Sequence, residues 1–479
     1  MSSLYNKNDD NRKNVIDMAD FAIVMTGDRT RRFKESQPNA LAEILFKPAV
    51  NWVVDACMKA GLTTLCTAEK QDAEQIEAVL PEGCRFAIQQ ADNLHGVLEA
   101  SQELLAEAQG HNILLVNASM PLIDESILLA ALHSHTDSKA EMTAVMTDAP
   151  NEQDEITLLK GQKIIKVHKK SDSGKEEISS GKVISEICWF CADFLQKVYK
   201  DHSTGKQTKD YTLDTLISEE ISGRKRLALH DCDRKSILLR VIDRKELLKL
   251  NETARKIVVD RLLDNGVNFY CRDGIVISPD AVVGEDTTIA PGTQLKGRVT
   301  IGKNCQIGPN TVIENSEVGD GTIIHSSLIE QSKVGNGVKI GPCSHLRPNS
   351  VLADNVKIGN FVEIKNSTLG EKTSVAHLTY IGDSDFGSRI NVGCGVVTVN
   401  YNGYRKFRSR VEDDAFIGCN TNLVSPVTVG KGAYVAAGST ITGDVSDDSL
   451  AIARARQCNK EGWAVSYREK ELAKKQKKN

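Results

Sequence analysis

The chain has 479 residues, too long for a single hydrophobic core, and predicts two or three domains, each able to bury a sizeable core. Lys and Arg number 60 against 64 Asp and Glu, and the formal net charge of −4 excludes the broad basic field of a nucleic-acid or anionic-membrane binder. No apolar run approaches the roughly 20 residues that cross a bilayer, and the polar start MSSLYNKNDDNRKN is no signal peptide, so a cytoplasmic protein with no membrane or nucleic-acid partner is expected.

After a polar tail over residues 1–19, residues 21–41 read FAIVMTGDRTRRFKESQPNAL: an apolar strand, a glycine, then a basic cluster. This is the layout of an entrance to a nucleotide site, yet the glycines and the lysine that such a site uses are missing. From Ala22 to about Arg240, short apolar runs (FAIVM, TTLCTA, RFAIQQ, NILLVNA, MTAVMTD) alternate with longer amphipathic stretches such as KPAVNWVVDACMKAG and ESILLAALHSH. That rhythm predicts βαβ units and a largely parallel sheet with helices on both faces. The twelve cysteines lack framework spacing and read as reduced thiols used as small apolar residues. Cys188 and Cys191 in EICWFC form a CxxC without a second pair, inside what reads as a buried strand, so packing is favoured over a zinc or redox role.

Residues 245–267, ELLKLNETARKIVVDRLLDNGV with its leading lysine, carry apolar positions at helical spacing and stop at Asn-Gly, which predicts a linker helix. Beyond it aliphatic residues recur every six positions. Val283, Ile289, Leu295, Ile301, Ile307 and Ile313 form one series; Ile340, Leu346, Leu352, Ile358 and Ile364 a second; Ile417, Leu423, Val429, Val435 and Ile441 a third. Such a period, with glycine and turn residues between, predicts a parallel β-helix over 268–453. The rhythm breaks between the second and third series, and VNYNGYRKFRSRVED reads as an insertion on the outside of a coil. On composition alone it is either a solvated loop or a functional one. Residues 454–479 form a lysine-rich tail.

The phrases LRPNS, GNFVEIKNS, AHLTYIGDS, INVGCGVVTVNYNG, VTVGKGAYVAAGSTIT, AIARARQ and KEGW closely resemble the bacterial family that joins a UDP-N-acetylglucosamine pyrophosphorylase to a glucosamine-1-phosphate N-acetyltransferase. The resemblance implies an α/β nucleotidyltransferase (Rossmann-like) domain over 20–244, then a left-handed parallel β-helix of hexapeptide repeats, assembled as a homotrimer with sites between subunits. It implies acetyl-CoA as co-substrate and glucosamine-1-phosphate as acceptor. His377 matches the family's general base, a role suited to a group titrating near neutrality. Arg347, Lys365 and Lys406 match residues that hold the sugar phosphate, a dianion that needs converging cations. Tyr380, Asn391 and Tyr401 match sugar contacts, and Asn400 matches a residue orienting substrate beside the base. Cys394, Cys419, Ala437 and Arg454 stand at the acetyl-CoA positions, with cysteine replacing the usual alanine at 394 and serine at 419. Arg454 and Trp463 are expected to act in trans.

The same resemblance exposes departures in the N-terminal half. Gly27, Arg31 and Pro38 are kept, but Arg29 replaces a glycine and Asn39 the phosphate-binding lysine. Ala118-Ser119 replaces the Gly-Asp that supplies a magnesium ligand, Ile242 the asparagine that completes the site, and Cys188-Trp189-Phe190 the Asn-Thr-Gly of the sugar pocket. No metal is therefore expected here, uridylyltransferase activity is expected to be lost, and a separate uridylyltransferase is expected in the pathway. Two alternatives stand beside this reading: a fully bifunctional enzyme with unusual metal ligands, and a non-catalytic regulatory subunit. A different amino sugar phosphate is a further option, because Asn349 replaces a family glycine and the insertion carries extra cations.

Overall fold

The computed structural model describes residues 20–27, 37–148, 155–160, 163–169, 182–203, 211–222 and 227–476. The chain divides into two compact units, the break falling at Asp260–Arg261 within the helix Arg244–Asp264.

In the first unit the main path of the sheet runs Leu227–Asp231, Met142–Asp148, Lys182–Cys191, Asn112–Asn117, Phe21–Met25, Thr63–Glu69, Arg85–Gln89. Neighbours along this path are parallel except Lys182–Cys191, which runs antiparallel to both of its neighbours. The strand Phe21–Met25 is buried along its whole length, as a central strand covered on both faces must be. One apolar cluster joins Ala22 and Val24 to Val50, Val53, Val54 and Cys57 of the helix Ala49–Lys59. The other joins Phe21 and Ile23 to Leu94, Leu98 and Leu195 on the opposite face. Alternation along the strand thus feeds two cores. The stretch GVLEASQELLAEA is broken at Ser101 into helices Leu94–Ala100 and Gln102–Glu107; the Ser101 hydroxyl donates to Val97 O.

The second unit is a three-sided coil. Its strands fall into three parallel sheets, called here faces one, two and three, which begin at Asn268–Phe269, Val276–Ile277 and Val282–Val283. The chain visits them in turn, so that Val276 pairs with Gln294 and Leu295 with Ile313. Every aliphatic residue of the three six-residue series is buried in the middle of the prism. The corners need left-handed backbone, which asparagine and glycine adopt most readily: Asn304, Asn310, Asn349 and Asn420 all have positive φ. Asn349 has φ 63, so the position that is glycine in the family calls for left-handed backbone, which asparagine also adopts. The insertion leaves face two after Val397–Val399 and rejoins at Ser409–Val411 on face three. Tyr401 and Lys406 form an antiparallel bridge across it, and Phe407 N donates to Asn400 O at 2.8 Å. The helix Trp463–Gln476 has no buried residue.

Candidate functional site

Two edges of the prism gather the residues singled out by sequence. Along the edge between faces one and two, successive coils place His377, Cys394, Cys419 and Ala437 in a column. Gly395 N donates to His377 O at 3.3 Å, Asn420 N to Cys394 O at 2.7 Å, and Gly438 N to Cys419 O at 2.8 Å. Arg454 closes the column, its Cδ lying 3.6 Å from where a β-carbon at Gly438 would stand. His377 is exposed at the end of the strand Ser374–His377, while its carbonyl accepts from the Thr379 hydroxyl at 2.7 Å. Cys419 is exposed and Cys394 half-buried, and both are free thiols.

The edge between faces two and three carries the cations. Lys406 and Arg347 stand close enough to Lys365 to hold its ammonium below the ordinary lysine range, Lys406 being the stronger cause. Arg347 Nη1 also donates to Glu363 Oε1 at 2.8 Å. Three mutually repelling cations held together in this way make a place for an anion. The other cations of the insertion are engaged locally: Arg405 lies over the Phe407 ring at 4.6 Å, and Arg408 pairs with Asp385 and donates to Asn366 O at 2.9 Å. Tyr380 and Asn400 meet at Gly382, where an added β-carbon would collide with Tyr380 Oη and lie 2.7 Å from Asn400 Nδ2. Tyr401 is exposed and its hydroxyl donates to Gly403 O at 2.6 Å.

Arg347, Lys365, Lys406, Tyr380 and Asn400 thus come together on one edge, and His377 with the small-residue column on the other. Between them lies the strand Tyr380–Gly382, about 10 Å at ~3.3 Å per residue. Asn391 stands apart on face one, paired with Ser374 and Phe416. One residue missed in the sequence is Asp383, a buried carboxylate that accepts from both Asn366 Nδ2 and Asn400 Nδ2. Its signal, an Asp one coil away from two asparagines, emerges only once the coils are stacked.

In the first unit a cavity of about 330 Å³ is lined by Gly27, Gln89, Asp92, Asn117, Asp214 and Arg240 among others. Arg240 reaches Ser119 Oγ with Nε at 3.3 Å and pairs with Glu186 at 2.8 Å. Burial raises the Glu186 carboxyl above its usual range, against the pull of the Arg240 guanidinium. Asn39 is buried and donates to Val241 O at 3.2 Å, while Ile242 is 40% exposed. Trp189 and Phe190, which stand in place of the family's Thr-Gly, are packed into the cores. Both are fully buried on opposite faces of the sheet, Trp189 donating to Leu128 O at 3.2 Å and Phe190 stacking on Phe194, and neither lines the cavity. Cys188 and Cys191 belong to no metal-binding group among the described residues. Arg29, Arg31 and the tail over 1–19 lie outside those residues.

Among the described residues no helix is long and apolar enough to cross a membrane. The family described as bacterial transferase hexapeptide (six repeats) matches residues 280–315, 331–366 and 408–443, and the MobA-like NTP transferase domain matches 22–180. "Bifunctional protein GlmU" of an Exiguobacterium species is 37% identical over 450 residues, covering 93% of this chain and 99% of that relative. The proteins of the same name from Bacillus velezensis and Clostridioides difficile are 37% and 36% identical, over 94% of this chain and 99% and 98% of their own lengths. The name borne by these relatives lends no support to a separate uridylyltransferase. The chain belongs to the bifunctional GlmU family, with a nucleotidyltransferase-type α/β domain followed by a left-handed hexapeptide β-helix that is an acetyl-CoA-dependent acetyltransferase.

Proposed function

We propose that this protein is a glucosamine-1-phosphate N-acetyltransferase whose N-terminal domain has lost uridylyl transfer. The observation that carries the first half is the pairing of an anion-holding edge, Arg347, Lys365 and Lys406, with the column running from His377 to Arg454 one strand away. The acceptor lies on face two. Its phosphate meets the three cations, Tyr380 and Asn400 hold the ring, and the amine is presented toward the imidazole. His377 takes the ammonium proton, so that the amine attacks the acetyl carbon and the thiolate of CoA leaves. Cys394, Cys419 and Ala437 leave room beside the column for the coenzyme, with Arg454 at its far end. Asn391, on face one, contacts the sugar from a neighbouring copy, while Tyr401, bridged to Lys406 on the insertion, contacts it beside the cations. That assignment goes with a homotrimer, favoured by the fully exposed tail helix with Trp463, Tyr467 and Leu472 outward.

The second half rests on donor chemistry. Magnesium wants oxygen ligands, usually a carboxylate together with phosphate oxygens. Ser119 instead faces the Arg240 guanidinium, and Ile242 has no side-chain oxygen to offer. These residues do not fit the metal. Asp92, Glu186 and Asp214 line the cavity together with Arg240, and this concentration of carboxylates is unfavourable to a triphosphate. The domain boundaries at 20–244, 245–267, 268–453 and 454–479 and a cytoplasmic location belong to the same proposal. So does a separate uridylyltransferase, which is needed only if this domain is inactive. The test of the acetyl-transfer half is His377→Ala. It should cut thiol release from acetyl-CoA with glucosamine-1-phosphate by about 100-fold or more, and unchanged turnover would overturn the assignment.

A further inference from the structure

Asp383 sits at the edge between faces two and three with φ 48, a left-handed conformation that aspartate tolerates better than most residues. It is 7% exposed, yet among the described residues no cation pairs with its carboxylate. Its Oδ1 accepts from Asn366 Nδ2 at 2.5 Å, from the coil before, and its Oδ2 accepts from Asn400 Nδ2, in the coil after. Its backbone is as fully used: N donates to Lys365 O at 3.0 Å and O accepts from Ser409 N at 3.1 Å. Asn400 opens the insertion and Ser409 closes it, so this one residue grips both ends of the loop that carries Tyr401 and Lys406. It also grips the main chain of Lys365.

We propose that Asp383 is a positioning residue for the acceptor site, setting Asn400 and the Lys365–Lys406 pair through a carboxylate that no neutral side chain can replace. The inference rests on the reading above that this edge takes the sugar phosphate. Two amide NH2 groups converge on Asp383, and only an acceptor on both oxygens satisfies them. An asparagine of the same shape would turn its own NH2 against one of them, leaving a buried clash of donors. Asn400 Nδ2 also borders Gly382, 2.7 Å from where a β-carbon there would stand, and the Tyr380 hydroxyl borders the same glycine, so a displaced Asn400 amide acts on the place where the ring is held. Asp383 also places a negative charge near Lys365, opposing the depression that Lys406 causes. The acetyl-CoA column lies on the other edge and takes nothing from Asp383.

The test is steady-state kinetics on the purified full chain with Asp383→Asn and with a double variant that adds Asn366→Asp to it. The single variant should raise KM for glucosamine-1-phosphate about ten-fold, with KM for acetyl-CoA within about two-fold of the parent. In the double variant the carboxylate introduced at position 366 accepts from the amide introduced at position 383, whose own oxygen still accepts from Asn400. The KM for the sugar phosphate should then return to within about three-fold of the parent. Asp383→Asn with unchanged KM values, or with both KM values rising together and no rescue in the double variant, would overturn the inference alone. Absence of turnover in the parent protein would overturn the acetyl-transfer reading and this inference with it.

Discussion

The guanidinium of Arg240 pairs with the carboxylate of Glu186 at 2.8 Å, beside Ser119, the residue at the position of a family metal ligand. The pair is partly buried, so removing the cation alone strands a carboxylate already raised by burial. Arg240→Met should therefore lower the unfolding free energy of the N-terminal domain by about 1–3 kcal/mol, measured by urea titration. Restoring the family residues by Ser119→Asp with Ile242→Asn should bring back no magnesium-dependent pyrophosphate release, because the new carboxylate would pair with Arg240. Recovery of activity in that double variant would show that Arg240 is no obstacle.

His135 predicts a pH dependence in the same domain. Its imidazole is buried, with Nδ1 2.8 Å from Thr143 Oγ1, and burial holds its pKa down at about 4. The unfolded ring titrates near 6.5, so between those values the unfolded chain binds more protons. Stability present above pH 6.5 is lost as the pH falls toward 4, by up to about 3 kcal/mol. His135→Asn should flatten that slope in melts followed across the window, and an unchanged slope would assign the acid sensitivity elsewhere.

Lys365 predicts the alkaline limb of acceptor binding. Its ammonium is held below the ordinary lysine range by Lys406 and, less strongly, by Arg347, so its charge is lost as pH rises through that lowered value. kcat/KM for the sugar phosphate should fall on the alkaline side before an ordinary lysine would titrate. Lys406→Met should weaken binding at neutral pH and move the limb to higher pH. A limb that stays in place would break the link between the two lysines.

Gly382→Ala tests the packing beneath the acceptor. The new methyl would collide with Tyr380 Oη, and the tyrosine must move, since Asn400 is held by Asp383. KM for glucosamine-1-phosphate should rise about five- to thirty-fold, with the melting temperature nearly unchanged.

Much of this architecture is legible in the sequence because its constraints repeat. Ile289, Leu295 and Ile301 are spaced by the coil itself, and each is buried where the period places it. The strand FAIVM and the linker helix follow equally local rules. Arg240 and Asp383 are not legible in this way, because each acts through partners brought near by folding: Ser119 and Glu186 for one, Asn366 and Asn400 for the other. Trp189 and Phe190 are a related case. They stand in place of the family's Thr-Gly, and strand alternation turns them into the two cores.

The most direct test of the central claim is a paired assay on one purified preparation. Free-thiol release from acetyl-CoA with glucosamine-1-phosphate is measured beside pyrophosphate release from UTP with N-acetylglucosamine-1-phosphate and magnesium. Thiol release without pyrophosphate release is the predicted result. Pyrophosphate release at a comparable rate would contradict the loss of uridylyl transfer, and absence of thiol release would contradict the acetyltransferase site built on His377, Arg347, Lys365 and Lys406.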